Sequence, residues 1–400
     1  MTSGRIVIVG AGLAGATTAQ ALREGGWTGP LTLLGAEPHR PYDRPPLSKE
    51  LLRGQPAELE LAVDFAALDI ALALGRTATQ LNVEARRLET DGGPLDYDAV
   101  VLACGALALD LPGTAGLPNV VTLRTRDDAE RLRPVLAGGG GLVIVGAGWI
   151  GAEVATAARA AGCAVTVVEA GPHPLAGALP AEVAGPMADW YAEAGAELRT
   201  GVPVTAVRDG EVELADGTVL GADAVLVGIG SRPDTDWLAG SGVPLGEDGA
   251  VLADAALATA ARGVYAVGDC ASYPSARSGR RLLTHHWDNA LVGPRTVAAT
   301  LLGERATHDP VPYFWSSQFG RYLQYVGEHR AGDELVRRGE PGAAGRGWSA
   351  CWLRDGALAA VLAVDRPRDL LQGRRLVDRR AAVDRALLAD PDVPLKSAAR

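Results

Sequence analysis

The chain has only four cysteines in 400 residues, Cys104, Cys163, Cys270 and Cys351, and no two of them form a C-x-x-C pair. That scatter suggests neither a zinc site nor a dithiol redox motif. No apolar run of about 18 residues is free of charges or turn residues, so a membrane span is not expected. The N-terminus opens directly into an apolar strand, with no basic segment ahead of an apolar one. No secretory signal is therefore expected, and the cytoplasm is the expected compartment. Lysine is nearly absent: Lys49 and Lys396 are two among 38 basic residues. Positive charge is in deficit overall, with a net charge of −10, which argues against a nucleic-acid partner. The deficit is uneven, because residues 306–400 carry 15 Lys/Arg against 12 Asp/Glu. Arginines pair there at Arg337-Arg338, Arg374-Arg375 and Arg379-Arg380. Such pairs read either as solvated faces or as a docking surface for an acidic protein. With 48% hydrophobic residues, the chain can supply cores for two or three globular domains.

Against these absences stands one feature present twice. The apolar run Arg5-Ile6-Val7-Ile8-Val9 leads into Gly10-Ala11-Gly12-Leu13-Ala14-Gly15 and an Ala-rich helix. A second run, Leu142-Val143-Ile144-Val145, leads into Gly146-Ala147-Gly148-Trp149-Ile150-Gly151 and another helix, 136 residues later. In such a unit the first glycine makes a tight turn and the second lets backbone approach a pyrophosphate. The third lets helix and strand pack closely. The free N–H groups of the helix N-terminus then face the phosphates. Two such units imply two dinucleotides, most simply a flavin and a nicotinamide.

Further along, Leu31-Thr32-Leu33-Leu34 reads as a buried parallel strand, followed by a loop rich in Pro and Arg. Residues 98–105 form another buried strand ending in small residues, and residues 109–116 look like a linker. The second unit continues through Ala164-Val165-Thr166-Val167-Val168-Glu169. A hairpin-like stretch follows, Glu211 to Leu214 and then Asp216 to Val219. The run that ends Gly228-Ile229-Gly230 again suits close approach of backbone to a ligand. Val264-Tyr265-Ala266-Val267-Gly268-Asp269 is a late strand whose destination is the first domain. From about residue 306, aromatics and shorter alternating segments suggest an α+β cap.

Glu169 lies 23 residues after Gly146 at a strand tip, where a carboxylate accepts both ribose hydroxyls and repels a 2′-phosphate. NADH is thus expected over NADPH, with a plain surface glutamate as the alternative. The matching tip of the first unit reads Gly35-Ala36-Glu37, and Glu37 is its candidate for a ribose contact. Lys49, in Pro45-Pro46-Leu47-Ser48-Lys49, supplies a compact cation in a chain that otherwise uses arginine. Near a flavin it would stabilise the reduced anion; an ordinary surface lysine is the alternative. Glu153, early in the second helix, would complement the helix dipole, approach the nicotinamide carboxamide, or pair with Lys49 across the domain interface. Asp269 is a candidate acceptor for a ribityl hydroxyl, and His285-His286-Trp287 a cluster bordering the ring system.

Taken together, these residues resemble the bacterial FAD- and NADH-dependent ferredoxin and rubredoxin reductases, the putidaredoxin-type group coupled to oxygenases. The resemblance covers nearly the whole chain. It rests on Arg40-Pro41-Tyr42-Asp43-Arg44-Pro45-Pro46-Leu47-Ser48-Lys49, on the second glycine turn with Glu153, and on Leu123-Arg124-Thr125. Tyr265-Ala266-Val267-Gly268-Asp269 and Tyr313-Phe314-Trp315-Ser316 complete it. The resemblance implies an α/β fold: two Rossmann-like dinucleotide-binding domains, as in glutathione reductase, and a C-terminal α+β cap domain. The FAD domain would be split between residues 1–112 and 240–305, the NAD domain would take 113–239, and the C-terminal reductase domain 306–400. Arg44, Lys49, Ala78, Arg124, Asp269 and Trp287 would line the FAD, with Trp315 brought near it. Glu153 and Glu169 would serve NADH alongside Gly146, Gly148, Ile150, Gly151 and Gly230. Lys49 and Glu153 would be the catalytic pair, and no metal is implied. Hydride would pass from NADH to FAD, and single electrons onward to a ferredoxin-type iron–sulfur protein.

Three departures from the family pattern stand out. Ala36 replaces a frequent Asp, His285 a frequent Glu, and Ser317 the Asp of Trp-Ser-Asp-Gln. They keep open a second reading, a flavoenzyme acting directly on a small organic substrate or on oxygen. A third is a redox-dependent interaction protein like the apoptosis-inducing-factor relatives of this fold. A monomer or a homodimer is expected.

Overall fold

Four apolar residues, Ile6–Val9, form the middle strand of a five-stranded parallel sheet. Its strands run in the order Val264–Ala266, Ala99–Leu102, Ile6–Val9, Leu31–Gly35, Ala71–Leu74. Alternate residues of the middle strand serve two cores, which is why the run is apolar throughout. Ile6 and Ile8 pack with Ala16, Ala19 and Leu22 of the helix Leu13–Glu24 and with Val297 of the helix Trp287–Leu301. Val7 and Val9 pack with Leu81 and Leu88 of a small antiparallel sheet on the other side. The late strand Val264–Ala266 joins this first sheet, as the sequence led us to expect.

The computed structural model describes residues 3–342 and 347–400. It divides into two compact units: residues 1–43, 58–107 and 231–312 form the first, and 44–57, 108–230 and 313–400 the second.

The second unit repeats the parallel arrangement. Gly141–Val145 is the middle strand of the order Glu197–Thr200, Ala164–Glu169, Gly141–Val145, Ala224–Val227, Val120–Val121. The expected hairpin is present within a three-stranded antiparallel sheet, but its second arm is Val219–Gly221. It starts late because Asp216, Gly217 and Thr218 make the turn: the Thr218 amide donates to Asp216 Oδ1 at 2.9 Å and Gly217 has φ of 85°.

The same unit holds a five-stranded antiparallel sheet, in the order Tyr313–Gln318, Arg321–Gly327, Ala357–Val364, Trp348–Arg354, Glu334–Arg338. Leu323, Trp348, Trp352 and Leu362 from it share a core with Leu175, Leu179 and Val183. Elsewhere the sheet meets the helix Pro367–Arg379, where Gly373 permits close approach: a Cβ there would stand 2.8 Å from Val361. Arg338 does not lie on a solvated face. It is fully buried, ion-paired to Asp369 at 3.2 Å, and donates to the carbonyls of Asp390 at 2.9 Å and Val393 at 2.8 Å. Five donors in one planar group let it tie down the C-terminal segment at no cost in unpaired polar atoms. Among the described residues no helix is long and apolar enough to cross a membrane.

Candidate functional site

The two glycine turns share one geometry. Gly10 and Gly146 have φ of 112° and 103°, values open to glycine and costly for other residues. A Cβ on Gly10 would sit 2.1 Å from the Ala103 carbonyl oxygen, and one on Gly146 2.4 Å from that of Gly228. A Cβ on Gly15 would sit 1.8 Å from Gly10 O, and one on Gly151 2.1 Å from Gly146 O. The middle glycines differ: around Gly12 nothing lies within 4 Å of that position, and around Gly148 only Gly228 O at 3.8 Å. Open space thus faces the helix N-termini that begin at Leu13 and Trp149. Neither helix has a side-chain cap or an acid in its first turn. Uncapped N–H donors at the positive end of a helix, reached over a glycine without side-chain obstruction, suit a pyrophosphate. Leu13, Ala14 and Ile150 follow within those first turns, and Ile150 is exposed. Gly230 has φ of 124° three residues beyond the strand Ala224–Val227, and Gly228 between them abuts the second turn.

The two acids at the strand tips are held differently. Glu169 takes the Ala147 amide on Oε2 at 2.8 Å and the Gly171 amide on Oε1 at 2.7 Å. Its carboxylate is thereby fixed beside the second turn. Glu37 accepts the Tyr42 hydroxyl at 2.6 Å, while Ala36 beside it is exposed.

In the second unit the segment Pro45–Ser48 forms a single 3-10 turn, and Lys49 caps it. Lys49 Nζ lies 2.7 Å from Glu153 Oε2, with the side chains 13% and 4% exposed. The expected ion pair with Lys49 is formed, but both residues lie in the second unit and not across a domain interface. Two hydroxyls missed at the sequence level complete it. Ser48 donates to the same oxygen, and Ser316 donates to Oε1 at 2.7 Å. Gln318 in turn donates to Ser316 Oγ at 3.1 Å. A buried ion pair stands only when its remaining lone pairs are satisfied, and here hydroxyls from two distant segments satisfy them. Strand alternation explains the source: Phe314 and Ser316 share one face of Tyr313–Gln318, and Phe314 meets Trp149 edge-on at 4.7 Å. Trp315 is on the opposite face, stacked with Tyr313 at 6.0 Å. Arg44 donates to the Arg124 carbonyl, immediately before the Thr125 cap of the helix Arg126–Ala137. Ser317 lies opposite Tyr322 on the neighbouring strand.

In the first unit, Asp269 sits in the turn Gly268–Cys270, packed near the first helix: a Cβ on Gly268 would be 3.0 Å from that of Ala14. Trp287 opens the helix Trp287–Leu301 and donates its indole N–H to Asp43 Oδ1 at 2.6 Å. Burial raises the Asp43 carboxyl above its usual range, and the indole bond works against that shift. His285 Nδ1 meets Ser231 Oγ at 3.1 Å. Burial pushes His286 down to about 4, with the Asp269 charge opposing and His285 adding to the fall. His286 is therefore neutral at ordinary pH. Ala78 begins the strand Ala78–Asn82, paired opposite Thr90.

The pattern of pyridine nucleotide-disulphide oxidoreductases matches residues 4–291, and that of the reductase C-terminal domain matches 313–399. The chain belongs to the pyridine nucleotide-disulphide oxidoreductases. It is 41% identical over 396 residues to the ferredoxin reductase component of a chlorobenzene dioxygenase from Cupriavidus sp. (strain PS12), covering 96% of this chain and 95% of that one. With the ferredoxin–NAD(+) reductase component of a p-cumate 2,3-dioxygenase system from Pseudomonas putida it shares 36% over 402 residues, covering 99% and 98%. The structure matches putidaredoxin reductase, as found in its covalent complex with putidaredoxin, at a TM-score of 0.94 and 33% identity, covering 99% and 98%. This oxidoreductase is thus a flavoprotein of the ferredoxin reductase group, using FAD and NAD(H).

Proposed function

We propose that the protein takes hydride from NADH and delivers single electrons to a ferredoxin-type iron–sulfur protein that serves an oxygenase. The buried Lys49–Glu153 pair carries this reading, because its supports, Ser48 and Ser316, hold one cation in one place. Bound FAD supplies the redox chemistry, accepting electrons as a pair and releasing them one at a time. The protein supplies position and charge. Gly10, Gly12, Leu13, Ala14 and Gly15 hold the FAD pyrophosphate, and Glu37 its ribose. Arg44, Lys49, Ala78, Arg124, Asp269, Trp287 and Trp315 line the FAD. Gly146, Gly148, Ile150 and Gly151 hold NADH, Glu169 takes its ribose hydroxyls, and Glu153 and Gly230 approach its nicotinamide end. Lys49 offsets the negative charge gained on reduction, and Glu153 keeps the ammonium oriented. The domains follow the division 1–112 with 240–305 for FAD, 113–239 for NAD and 306–400 for the C-terminal domain. The protein works in the cytoplasm as a monomer or a homodimer.

Anaerobic stopped-flow absorbance tests this reading: the purified yellow protein is mixed with NADH, then with a [2Fe–2S] ferredoxin. Rapid bleaching of the flavin band followed by rapid recovery on the second mix is expected. Bleaching with recovery only on adding oxygen or an organic oxidant would assign the chain to direct small-molecule chemistry.

A further inference from the structure

Cys104 and Cys270 are 166 residues apart in sequence and meet in the first unit. The strands Ala99–Leu102 and Val264–Ala266 run parallel with Leu102 opposite Ala266, and the Val267 amide continues the ladder to Leu102 O at 2.9 Å. Both chains therefore leave the sheet at the same end, and the cysteines follow two and four residues later. Cys270 Sγ lies 3.3 Å from Leu102 O and 3.5 Å from Val267 O. The two side chains are close enough for each to shift the other's thiol. Cys270 is fully buried, whereas Cys104 is partly exposed. The Cys104 Cα also stands 3.0 Å from where a Cβ on Gly10 would be, so the backbone at Cys104 forms the floor of the first glycine turn.

We propose that Cys104 and Cys270 are an oxidisable dithiol whose reversible disulfide loosens the hold of the first glycine turn on its dinucleotide. Their interaction raises the Cys104 thiol and lowers that of Cys270, which makes Cys270 the readier thiol to close a disulfide. The sulfur of the partly exposed Cys104 attacks a hydroperoxide, forming a sulfenic acid and releasing an alcohol, or water when the oxidant is hydrogen peroxide. Cys270 Sγ then displaces water from that sulfur and loses its proton. The sum is two thiols and one peroxide to one disulfide and two molecules of water, or one of water and one of alcohol. Drawing the sulfurs to covalent distance moves Cys104, and with it the surface beneath Gly10. Disulfides of cytoplasmic proteins are mostly transient and redox-sensing, in keeping with a reversible bond here. The disulfide does not depend on what the first turn binds; its effect on FAD rests on the reading of that turn given above.

The flavin-loaded protein is treated with hydrogen peroxide, denatured in iodoacetamide and digested without reductant, and its peptides are weighed. A peptide joining Cys104 to Cys270, removed by dithiothreitol, is expected, with Cys163 and Cys351 alkylated throughout. Flavin release followed by fluorescence should quicken by about tenfold on oxidation, and Cys104→Ser or Cys270→Ser should abolish that response. Alkylation of both Cys104 and Cys270 after peroxide would overturn the disulfide. A linked peptide with unchanged flavin release would overturn the switch while leaving the FAD assignment of the turn untouched.

Discussion

The two glycine turns have nearly one backbone and quite different surroundings. Gly12 and Gly148 cap their helices at φ, ψ of −79°, −169° and −77°, −170°. The residue after each is Leu13 in one and Trp149 in the other, and only Trp149 meets an aromatic ring of the C-terminal sheet, that of Phe314. Glu169 is fixed by backbone amides, while Glu37 is tied to the Tyr42 hydroxyl. Beneath the first turn runs the Ala103-Cys104 backbone, and beneath the second the Gly228 carbonyl. The shared part, built from glycines and helix N-termini, suits a phosphate group and offers nothing to tell one dinucleotide from another. What differs is the side chains around it: Leu13 and Trp149 within the turns, Glu37 and Glu169 at the strand tips, and Phe314 from far along the chain.

The sharpest way to break the likeness is to fill the glycines one at a time. Gly15→Ala and Gly151→Ala place a methyl within about 2 Å of a carbonyl oxygen, and each should cost at least about 3 kcal/mol of stability by denaturant titration. Equal stability in either variant would refute the packing role of the third glycine.

The next effect concerns the ion pair, which belongs to the second unit alone. Glu153→Ala leaves a buried ammonium without its carboxylate and should cost about 3 kcal/mol. Lys49→Met should keep bound flavin but slow its reduction by NADH, and unchanged reduction kinetics would remove Lys49 from the mechanism. Ser316→Ala keeps both charges and should produce a smaller slowing, roughly tenfold or less.

Acid stability should draw most on the first unit, with burial holding His329 of the second below its usual range as well. Burial pushes His308 and His286, both in the first unit, down to about 4. Their folded values lie below the unfolded one, so neutral imidazole favours the fold. That contribution is complete above about pH 6.5 and is lost as pH falls towards 4. Thermal melts from pH 7 to 4 should show His308→Gln with a flatter decline than the parent protein; an identical slope would exclude His308 as a source. The mildest change is expected from the acids: Glu169→Ala should reduce the preference for NADH over NADPH by about tenfold, measured as the ratio of kcat/KM values. A variant still strongly selective would show that another residue reads the ribose.

Much of this was legible in the sequence because it is local. Each glycine turn lies within one strand-turn-helix segment, and apolar runs such as Ile6–Val9 announce strands buried on both faces. The pairing of Lys49 with Glu153 was one of several readings and is the one the structure bears out. What escaped came from distant segments. Ser316 lay inside a quoted motif, but only strand alternation turns it towards Glu153. Asp43 likewise stood in the Arg-Pro loop without a role until Trp287 reached it. Cys104 and Cys270 looked scattered because spacing was judged along the chain; the signal was that each closely follows the end of a buried strand. Arg338 was read with its neighbour as part of a solvated face, and no local pattern marks an arginine whose partners lie some 30 to 55 residues onward.

The central claim is that the two like turns hold two different dinucleotides. It is tested most directly by measuring flavin content and the KM for NADH in Gly12→Val and Gly148→Val, whose side chains enter open space and leave the packing intact. The expected result is crossed: Gly12→Val is purified without flavin, while Gly148→Val is yellow with a KM for NADH raised roughly tenfold or more. Loss of flavin from Gly148→Val, or a fully yellow Gly12→Val, would contradict the assignment of the turns.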